Sequence, residues 1–596
     1  MRSRRERRIR PPVHRAAPHD ARDRADRLWR WLAPWPDEQR RGAHRGAASA
    51  ARRDRVDGQH HGRPRGRSIG VDRCRGRPAR APRGRADPHG GRGTAARDDQ
   101  LRGHLRAHRS RPAGVRRGSC GVSGDQPLDL LRTALPGAAG WLVGGAVRDR
   151  LLGREQAVPD LDIVIDGDPE RAARALRAAA PRGTAAFALS DAFGSWRVVA
   201  ADNAWQVDIS ALHGGSLEAD LHRRDLTINA IAEPLAGGEP IDPTGGLEDL
   251  AARTLRMVTA EAFDEDPLRV LRVARLAVEL EFTADPATIA AARARAAGLA
   301  QVAGERIFAE LRRVVGAADP VSGIALLDEL GATSVVLPEL DELRGVDQTV
   351  YHHRDVHGHT LEVLAASVAL EEDPEPVVGP DLAEGVRALL AEPLADGLTR
   401  GAALRWASLL HDIAKPQTRT DFGEGRIGFP DHDRQGAAMS RAILERLRTS
   451  ERLRSHVAAL ARHHLRLGFL VHERPLGRRL VHRYLVTCDP VAADVTILGL
   501  SDRLATRGRK ADEAIAVHME VALPMLAAAL AWHRDGPQEP VVRGDELAAE
   551  LGITPGPVLG ELLAEIAQAQ YAGEVHGRDE AIEAARRMLE GGAEAG

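Results

Sequence analysis

Lysine, cysteine and aromatic residues are scarce in this chain of 596 residues. Lys415 and Lys510 are its only lysines, which together with the many arginines indicates a GC-rich coding bias. The three cysteines, Cys74, Cys120 and Cys488, are too few and too scattered for a disulfide framework or a cysteine-based zinc site. They fit a reducing, cytoplasmic setting. Aromatic residues make up 3% of the chain, which argues against wide base-stacking platforms.

Long apolar runs are absent as well. No run reaches the roughly 18 apolar residues that a membrane span needs, so we expect no span. The Arg-rich N-terminal region lacks the apolar core of a secretory signal, and export is not expected. A hydrophobic content of 43% is still enough for packed cores, and the length predicts roughly three to four domains.

Charge is balanced in sum but not in distribution. Residues 1–120 contain 34 arginines and 12 acidic residues, whereas the remainder contains 50 basic and 73 acidic residues. The arm has few Ile, Leu or Val and no sustained periodicity, so we expect it to be disordered. Two interpretations stay open: a basic RNA-binding arm, or a gene start assigned too early, although no Met occurs between Met1 and Met257.

Three acidic residues in strand-like segments form the first chemical pattern. The alternation in residues 159–165 places Asp160 and Asp162 on one face of a strand, where two like charges repel each other. Asp208 lies in a second strand-like segment, residues 205–209. Three carboxylates around Mg²⁺ suit in-line nucleotidyl transfer. The alternative is a solvated strand face or a turn cap.

Glycine and arginine residues flank these acids. Gly144 and Gly145 form a turn between a predicted strand and a predicted helix, where backbone N–H groups can approach a phosphate. Arg223 and Arg224 can pair with phosphates, and residues 225–229 add Asp225 and Asn229 for a ribose or for fixing the arginines. The alternative is a patch of salt bridges at a helix terminus.

Together these segments resemble the class II tRNA nucleotidyltransferase (CCA-adding enzyme) and bacterial poly(A) polymerase family. Six blocks carry the resemblance, in the family's order: Gly144-Gly145-x-Val147-Arg148-Asp149, Asp160-x-Asp162, Arg223-Arg224-Asp225-x-Thr227-Ile228-Asn229-Ala230, a hinge-like Asp242–Leu250, a templating motif Glu265-Asp266-Pro267-Leu268-Arg269, and a neck motif Glu305-Arg306-Ile-x-x-Glu310-Leu311.

The resemblance implies a role for each matched position. It implies Asp160, Asp162 and Asp208 as catalytic residues, with Mg²⁺ on the first two. The nucleotide-binding residues that it implies are Gly144, Gly145, Arg148, Asp149, Arg223, Arg224, Asp225, Asn229, Asp266, Arg269, Arg272 and Arg275. One departure concerns residues 208–213, which lack an arginine that the family often has after the third acid.

The templating motif also has a physical logic of its own. Leu268, Leu271 and Leu276 are spaced to form an apolar stripe on a helix. Asp266 and Arg269 lie three residues apart, which in a helix places them on one face. A carboxylate accepts from an exocyclic amine and a guanidinium donates to ring acceptors, so the pair can read the Watson–Crick edge of a base. The family resemblance implies that this pair selects CTP or ATP. The alternative is a salt bridge on the helix face with Arg272 and Arg275.

Histidine and aspartate residues form a second pattern between residues 350 and 510. His411-Asp412 ends an apolar helix, and a buried charge there calls for a partner such as a metal. This region resembles an HD-type phosphohydrolase domain, which implies His359, His411, Asp412 and Asp502 as ligands of a divalent metal of unknown identity. His432 is a candidate for a second metal or for the substrate phosphate. The alternative is a helical body that only holds RNA.

We therefore predict an α+β fold: a small mixed-sheet nucleotidyltransferase head followed by an all-helical neck, HD body and tail. The predicted boundaries are the Arg-rich arm at 1–120, the head at 125–245, the neck at 246–318, the body at 319–515 and the tail at 516–596. The neck arginines that we expect to guide tRNA are Arg269, Arg272, Arg275, Arg306, Arg312 and Arg313.

The expected activity is addition of CMP and AMP from CTP and ATP to the 3′ end of tRNA, with phosphohydrolase activity in the HD body as a second expectation. The expected partners are tRNA, CTP and ATP, with no membrane; the oligomeric state stays open. Three alternatives remain: a poly(A) polymerase or a CC-only or A-only transferase, an HD phosphohydrolase with an inert head, and a non-catalytic RNA-binding protein.

Overall fold

The computed structural model of the chain describes residues 126–135, 137, 139–154, 160–190, 194–349, 351–508 and 510–593. The predicted Arg-rich arm lies outside these residues. The described chain has the predicted α+β architecture, in which a mixed sheet comes first and helices follow. One apolar core runs from Leu128 to Ala529, so the head, the neck and the body pack as neighbours.

The head is built on a six-stranded sheet of order β3-β4-β5-β2-β1-β6. Its strands are β1 Gly140–Val143, β2 Asp160–Ile165, β3 Ala185–Ser190, β4 Ser195–Val199, β5 Gln206–Ala211 and β6 Ala232–Pro234. Its helices are α1 Gln126–Ala134, α2 Gly145–Leu151, α3 Pro169–Ala179 and α4 Leu217–His222. Strands β2 and β5 run parallel, and the other neighbours run antiparallel.

Strand β2 shows why the head folds this way. Leu161, Ile163 and Ile165 are buried in the core on one face, while Asp160 and Asp162 project from the other face. The strand therefore contributes its apolar side to the core and its acidic side to the site, as the alternation predicted.

The neck packs one amphipathic helix against the head. Its helices are α5 Gly246–Ala251, α6 Ala262–Glu265, α7 Arg269–Leu280, α8 Pro286–Arg295 and α9 Gly304–Val315, and its two-residue strands β7 Thr254–Leu255 and β8 Thr283–Ala284 pair in parallel. Leu268, Leu271 and Leu276 are all buried, which confirms the predicted apolar stripe. Because this stripe faces the core, the arginines of α7 are left on the side of the helix that faces the site.

The body is mainly helical. Its helices are α10 Pro320–Glu329, α11 Thr333–Val336, α12 Pro338–Asp341, α13 Val356–Glu372, α14 Glu375–Val378, α15 Pro380–Ala391, α16 Arg400–Leu410, α17 Lys415–Thr418, α18 His432–Arg446, α19 Glu451–His463, α20 Arg466–Phe469, α21 Arg478–Cys488 and α22 Ala492–Ala505. Two short antiparallel ribbons interrupt them, β9 Pro393–Ala395 with β10 Leu398–Thr399 and β11 Thr420–Asp421 with β12 Ile427–Gly428. Helix α13 packs on both α16 and α22, which brings distant segments together.

The tail has two parts. Helix α23, Ala511–Asp535, packs on the main core through Val521, Met525 and Leu526, whereas α24 Gly544–Leu551, α25 Pro557–Ala572 and α26 Arg578–Ala593 form a separate small core. By length and composition α23 would suffice to cross a membrane, as would α21 and α22 taken together as one bent span. Core helices of soluble proteins pass the same test, so this is weak evidence for a span.

Candidate functional site

A cleft of about 1190 Å³ lies between the head sheet and the neck. Fourteen of the fifteen catalytic and nucleotide-binding residues predicted from the sequence line it: Gly144, Gly145, Arg148, Asp149, Asp160, Asp162, Arg223, Arg224, Asp225, Asn229, Asp266, Arg269, Arg272 and Arg275. The remaining one, Asp208, does not line the cleft. The structure therefore brings residues from five of the six sequence blocks, all but the hinge-like Asp242–Leu250, into one cleft.

Two carboxylates face this cleft and a third lies beside them. Asp162 on β2 is directly opposite Asp208 on β5 in the parallel register, and Asp160 precedes them on the same face. Desolvation on the cleft floor raises the pKa of Asp162 to about 6. The nearby Arg224 opposes this shift, while Asp160 and Asp208 add to it. The carboxylates thus crowd enough negative charge to favour a bound cation.

Asp208 is held by an arginine that sequence reasoning missed. Arg197 lies opposite Asp208 in the antiparallel pair of β4 and β5. Its Nε and Nη2 atoms donate to the two carboxylate oxygens of Asp208, both at 2.7 Å. Alternation along residues 195–199 places Arg197 on one face of its strand, but nothing in the sequence shows which strand lies alongside.

Gly144 brings the backbone close to the acids. It has a φ of 77°, and a Cβ atom there would lie 3.0 Å from Asp162 Oδ2 and 3.2 Å from Arg224 Nη1. Both the left-handed conformation and the lack of space require glycine at the start of α2.

A buried hydrogen-bond chain supports the wall beside Gly144. Arg148 donates from Nε to Asp149 Oδ1 at 2.8 Å and from Nη1 to Asn229 Oδ1 at 2.8 Å. Asn229 in turn donates to Asp225 Oδ1 at 3.0 Å, and Arg272 Nη1 lies 3.1 Å from Asp225 Oδ2. Asp225 therefore contacts the head and the neck at once, and acts as a support for Asn229 and Arg272.

The charge state of Asp225 follows from these contacts. Burial by itself would raise its pKa, but Arg272, the Asn229 amide and the backbone N–H of Leu226 more than offset that effect and lower the pKa to about 2. Asp225 is thus a carboxylate at every physiological pH.

Arg223 and Arg224 follow α4 and line the cleft, but they differ in side-chain exposure and in their carboxylate partners. Arg224 donates from Nη2 to the buried Asp220 at 3.2 Å, and its side chain is 23% exposed. Arg223 lies 3.3 Å from Glu265 and is 52% exposed. Both guanidinium groups can therefore meet a polyanionic ligand, Arg223 with the smaller rearrangement.

The templating pair has a different geometry from the prediction. Helix α7 begins at Arg269, and Asp266 lies ahead of it in an extended conformation, so the two do not share a helical face. The physical reason is Pro267, because the residue before a proline is pushed out of the helical region. Asp266 accepts from Leu268 N at 3.2 Å and from Arg306 Nη2 at 2.8 Å.

Arginines of α7 and α9 cover one wall of the cleft. Arg275 is buried against Glu310, with Nε 3.0 Å from Oε2. Arg313 pairs through both nitrogens with Glu279 and lines the cleft. Arg312 donates instead to the Asp396 carbonyl at 2.7 Å and lies outside the cleft. The predicted RNA-guiding set is thus divided: all but Arg312 line this cleft.

The four HD residues predicted from the sequence meet inside the body. His359 Nε2 lies 3.0 Å from Asp502 Oδ1 and 3.9 Å from Asp412 Oδ2, and His411 Nε2 lies 3.1 Å from Asp412 Oδ2. Burial opposes ionisation of Asp412, but His411 and Lys415 hold its pKa well below its usual range. These residues come from α13, the end of α16 and α22, which the packing of those helices brings together.

A second group shares Asp412. His432 Nε2 and His464 Nε2 lie 3.4 and 3.6 Å from Asp412 Oδ1, which is buried and accepts no hydrogen bond. His432 was a sequence candidate for a second metal, and the structure places it here together with His464. Burial lowers the pKa of His432 to about 4, so it is neutral at physiological pH.

Backbone carbonyls orient these imidazoles. The Nδ1 atoms of His411, His432 and His464 lie 2.9, 2.6 and 2.7 Å from carbonyl oxygens and donate to them, which turns each Nε2 towards the Asp412 carboxylate. The Nε2 atoms of His432 and His464 are 3.3 Å apart. Nitrogen and carboxylate donors arranged in this way fit divalent transition metals.

Lys415 completes this centre and was missed. Its Nζ atom lies 2.6 Å from Asp412 Oδ2 and donates to Gln348 Oε1 at 2.7 Å. Only two lysines occur in the chain, and one of them lies three residues after His411-Asp412. That position was the available signal, because an isolated lysine at the end of an apolar helix needs a buried partner.

Three protein-family models match the chain. The poly A polymerase head domain matches residues 140–256, the probable RNA and SrmB-binding site of polymerase A matches residues 281–344, and the HD domain matches residues 356–483. These matches confirm the family resemblance and the HD domain that the sequence motifs indicated.

Full-length relatives give the same result. An A-adding tRNA nucleotidyltransferase of Deinococcus radiodurans is 39% identical over 76% of this chain and 96% of its own length. A CC-adding tRNA nucleotidyltransferase of Thermus thermophilus is 34% identical over 74% and 91%, and a multifunctional CCA protein of Xanthomonas campestris is 34% identical over 71% and 96%.

Solved structures show the same fold. A CCA-adding enzyme in complex with ATP matches with a TM-score of 0.54 and 18% identity over 78% of this chain and 95% of that one. A Thermotoga maritima CCA-adding enzyme complexed with tRNA matches with a TM-score of 0.52 and 19% identity over 78% and 98%. The α+β architecture is therefore confirmed.

Proposed function

Because the chain is an enzyme of the tRNA nucleotidyltransferase and poly(A) polymerase family with an HD domain, we propose that it transfers CMP and AMP from CTP and ATP to the 3′ end of tRNA and so builds the CCA end. The observation that carries the proposal is the cleft in which Asp160 and Asp162 face a wall of arginines. A triphosphate needs both features: cationic contacts along its length and a carboxylate site for its metal.

The head carboxylates fit Mg²⁺. Hard Mg²⁺ prefers carboxylate oxygens, and the repulsion that contributes to the raised pKa of Asp162 is relieved when a divalent cation binds. Held by Asp160 and Asp162, Mg²⁺ would lower the pKa of the attacking 3′-hydroxyl and neutralise charge on the triphosphate. We assign Asp208 to orienting or deprotonating that hydroxyl.

The remaining cleft residues are assigned to different parts of the nucleotide. The close backbone approach at Gly144 and Gly145, with Arg148 and Asp149 behind it, suits the triphosphate. Arg223 and Arg224 suit its outer oxygens, and Asn229, fixed by Asp225, suits the ribose. We assign to each of these residues the role that the sequence motifs imply.

Base selection is assigned to Asp266 and Arg269. Arg306 holds one Asp266 oxygen at 2.8 Å, and Arg269 donates to the Ala262 carbonyl at 3.0 Å. These contacts hold an acceptor and a donor in the cleft wall, which is what reading the edge of a base requires. Arg272 and Arg275 follow on the next turns of α7, where they pair with Asp225 and Glu310.

A narrower activity, addition of the terminal A alone, is the second candidate. The A-adding relative is 39% identical to this chain, whereas the CC-adding and CCA-adding relatives are 34% identical.

The transfer chemistry is tested with tRNA ending in CC, radiolabelled ATP and a titration of Mg²⁺. We expect one labelled A per tRNA and release of pyrophosphate, with a loss of about a thousandfold in Asp160→Asn and Asp162→Asn. Asp166→Asn is the matched control, since Asp166 is an exposed acid just beyond β2 that does not line the cleft. Full activity in Asp160→Asn would contradict the assignment of the head.

The HD body is proposed as a second, hydrolytic site. Its support is the pair of donor groups that share Asp412, namely His359 with His411 and His432 with His464. A divalent metal held there would supply an activated water for a phosphate ester. Lys415 adds a fixed positive charge at Asp412, and the phosphomonoesters or 2′,3′-cyclic phosphates of damaged tRNA ends are the proposed substrates.

Hydrolysis is tested on RNA ending in a 2′,3′-cyclic phosphate, after chelation and reloading with Mn²⁺, Ni²⁺ or Mg²⁺ separately. We expect phosphate release that His411→Ala and Asp412→Asn abolish, while AMP transfer to tRNA stays within about twofold, because none of the HD ligands lines the head cleft. Equal hydrolysis by Asp412→Asn and the unaltered chain would remove this proposal and leave the body as an RNA support.

The proposed partners are tRNA, CTP and ATP, and the proposed setting is the cytoplasm, where all three occur.

A further inference from the structure

Three charged residues form a row across three neighbouring strands of the head sheet. Arg197 on β4 is opposite Asp208 on β5, and Asp208 is opposite Asp162 on β2. Residues that are directly opposite in a sheet project from the same face. The guanidinium therefore lies at one end of the carboxylate cluster, with Asp208 in the middle.

The guanidinium engages both oxygens of the middle carboxylate. The Arg197 Nε and Nη2 atoms each lie 2.7 Å from a different Asp208 oxygen, and the two side chains are only 29% and 19% exposed. A two-bond fork of this kind is the strongest geometry that arginine makes with a carboxylate. Neither residue lines the cleft, whereas Asp160 and Asp162 do.

From this geometry we infer that Arg197 is a positioning residue that engages both oxygens of Asp208 in the free enzyme and must release at least one of them before the three acids act together. The inference rests on the proposed transfer function. In the free enzyme Arg197 neutralises the cluster in place of a divalent cation. A cation that recruits Asp208 has to displace at least one arm of the fork.

This role has a measurable consequence for metal binding. Removing the guanidinium takes away a positive charge beside the cation site and frees the Asp208 oxygens, so divalent cations should bind the head more tightly in the absence of nucleotide. We expect the loss of one unit charge beside a divalent cation to change the affinity for that cation by about tenfold.

The experiment measures Mn²⁺ binding to the full chain by electron paramagnetic resonance, without nucleotide or RNA. Sites that disappear in Asp160→Asn are the head sites, which separates them from the HD body. We expect Arg197→Met to tighten the head sites about tenfold, and the gain to vanish in the double variant Arg197→Met with Asp208→Asn. Arg177→Met, at an exposed arginine on α3, is the matched control and should not change binding.

Two results would overturn the inference: head binding in Arg197→Met that stays within twofold of the unaltered chain, or a gain that persists in the double variant. If Arg197→Met does not fold, Arg197→Lys replaces it, because lysine keeps the charge but cannot form both hydrogen bonds. Cation binding that is about threefold tighter supports the inference, and unchanged binding overturns it.

The half-saturating Mg²⁺ concentration for AMP transfer should also fall in Arg197→Met. Failure of the proposed transfer function would instead appear as no incorporation by the unaltered chain, which the Mn²⁺ measurement does not involve.

Discussion

At the scale of single residues, the ionised side chain of Asp162 lowers the stability of the fold but is needed for the proposed metal site. Its pKa of about 6 lies above the ordinary value of 3.8, so the folded protein binds the proton more tightly than the unfolded chain does. The ionised carboxylate therefore destabilises the fold above about pH 6, and this cost fades as the pH falls through 6 towards 3.8. The folded protein thus retains the Asp162 carboxylate, which lowers its stability, at a position where the proposed Mg²⁺ site requires a carboxylate.

Asp162→Asn should therefore stabilise the protein while it abolishes nucleotide transfer. Screening by water in the open cleft keeps the expected gain to about 1 kcal/mol at neutral pH. Thermal unfolding in chelator, measured at several pH values, should show the gain at pH 7.5 and little gain near pH 4. A variant less stable than the unaltered chain at pH 7.5 would contradict the cause assigned to the shift.

Gly144 allows a comparison of backbone strain with steric contact. Gly144→Ala places a Cβ atom 3.0 Å from Asp162 Oδ2, whereas Gly153→Ala meets nothing within 4 Å although Gly153 also has a positive φ of 67°. Both should lose about 1 kcal/mol of unfolding free energy, since alanine is strained at positive φ. Only Gly144→Ala should also lose activity, by about a hundredfold in kcat/KM for ATP.

Denaturant unfolding and steady-state kinetics on the two variants check this prediction. Equal activity in both would mean that the cleft tolerates the extra methyl group. Equal loss in both would mean that backbone strain alone, and not the approach to Asp162, explains the requirement for glycine.

The sequence predicted which residues meet in the cleft better than it predicted what holds them. Asp160, Asp162 and Gly144 were found because alternation and a Gly-Gly turn are local patterns. Arg197 and Lys415 were missed, since each acts through a partner from another segment and spacing does not record it.

At the scale of elements, α7 joins the neck to the head through charge. Arg272 on this helix lies 3.1 Å from Asp225, a nearly buried head residue whose pKa is about 2. The lowered pKa means that the ionised Asp225 stabilises the fold above about pH 4, and that this contribution is lost as the pH falls towards 2. The helix thus depends on a head carboxylate for its orientation.

Arg272→Met should destabilise the protein by leaving Asp225 without its main counter-charge. Arg272 is 38% exposed, so we expect about 1–2 kcal/mol rather than the full cost of an unpaired buried charge. The loss should be constant between about pH 5 and 8 and should shrink below pH 4.

Urea unfolding at fixed pH values measures this loss. Arg313→Met is the matched control, because its pair with Glu279 is at the surface and its loss should stay under about 1 kcal/mol. Adding Asp225→Asn to Arg272→Met should recover part of the stability. A loss that is the same at every pH would show that Arg272 acts through packing alone.

The boundary of α7 shows where element prediction fails. The apolar spacing of Leu268, Leu271 and Leu276 located the helix correctly, but Asp266 was expected inside it and lies before it. Proline at position 267 favours a helix start after itself and an extended residue before itself, and the second effect decides the geometry of the templating pair.

At the scale of the whole molecule, the cleft is less acidic than the protein around it. Beyond the Arg-rich arm, acidic residues outnumber basic ones by 73 to 50, whereas eight arginines and seven acidic residues line the cleft, and the proposed RNA end would meet these arginines. Phosphate contacts of this kind make binding depend on salt concentration.

Arg313→Ala should weaken tRNA binding and lower the slope of log affinity against log salt by about 1, whereas Arg312→Ala should leave the slope unchanged. The two arginines are adjacent on α9, but only Arg313 lines the cleft. Filter binding at several salt concentrations makes the comparison. Equal effects from both variants would mean that the RNA path does not follow the cleft.

The α+β architecture followed from the order of local patterns: alternating segments came first and helical ones later. The packing of α13, α16 and α22, which brings His359, His411 and Asp502 together, could be expected only from the family resemblance. Periodicity gives the buried face of each helix, but it does not give the helix against which that face packs.

Addition of nucleotides to the 3′ end of tRNA by the head cleft can be measured directly. The purified protein is incubated with Mg²⁺ and with tRNAs that end at the discriminator base, in C or in CC. Each tRNA receives labelled CTP, labelled ATP or both, and the products are sized at single-nucleotide resolution. We predict growth of all three ends to CCA and then a stop, whereas addition of A only to CC ends would identify the narrower A-adding activity. No growth on any end, at any Mg²⁺ concentration, would contradict the proposed transfer function.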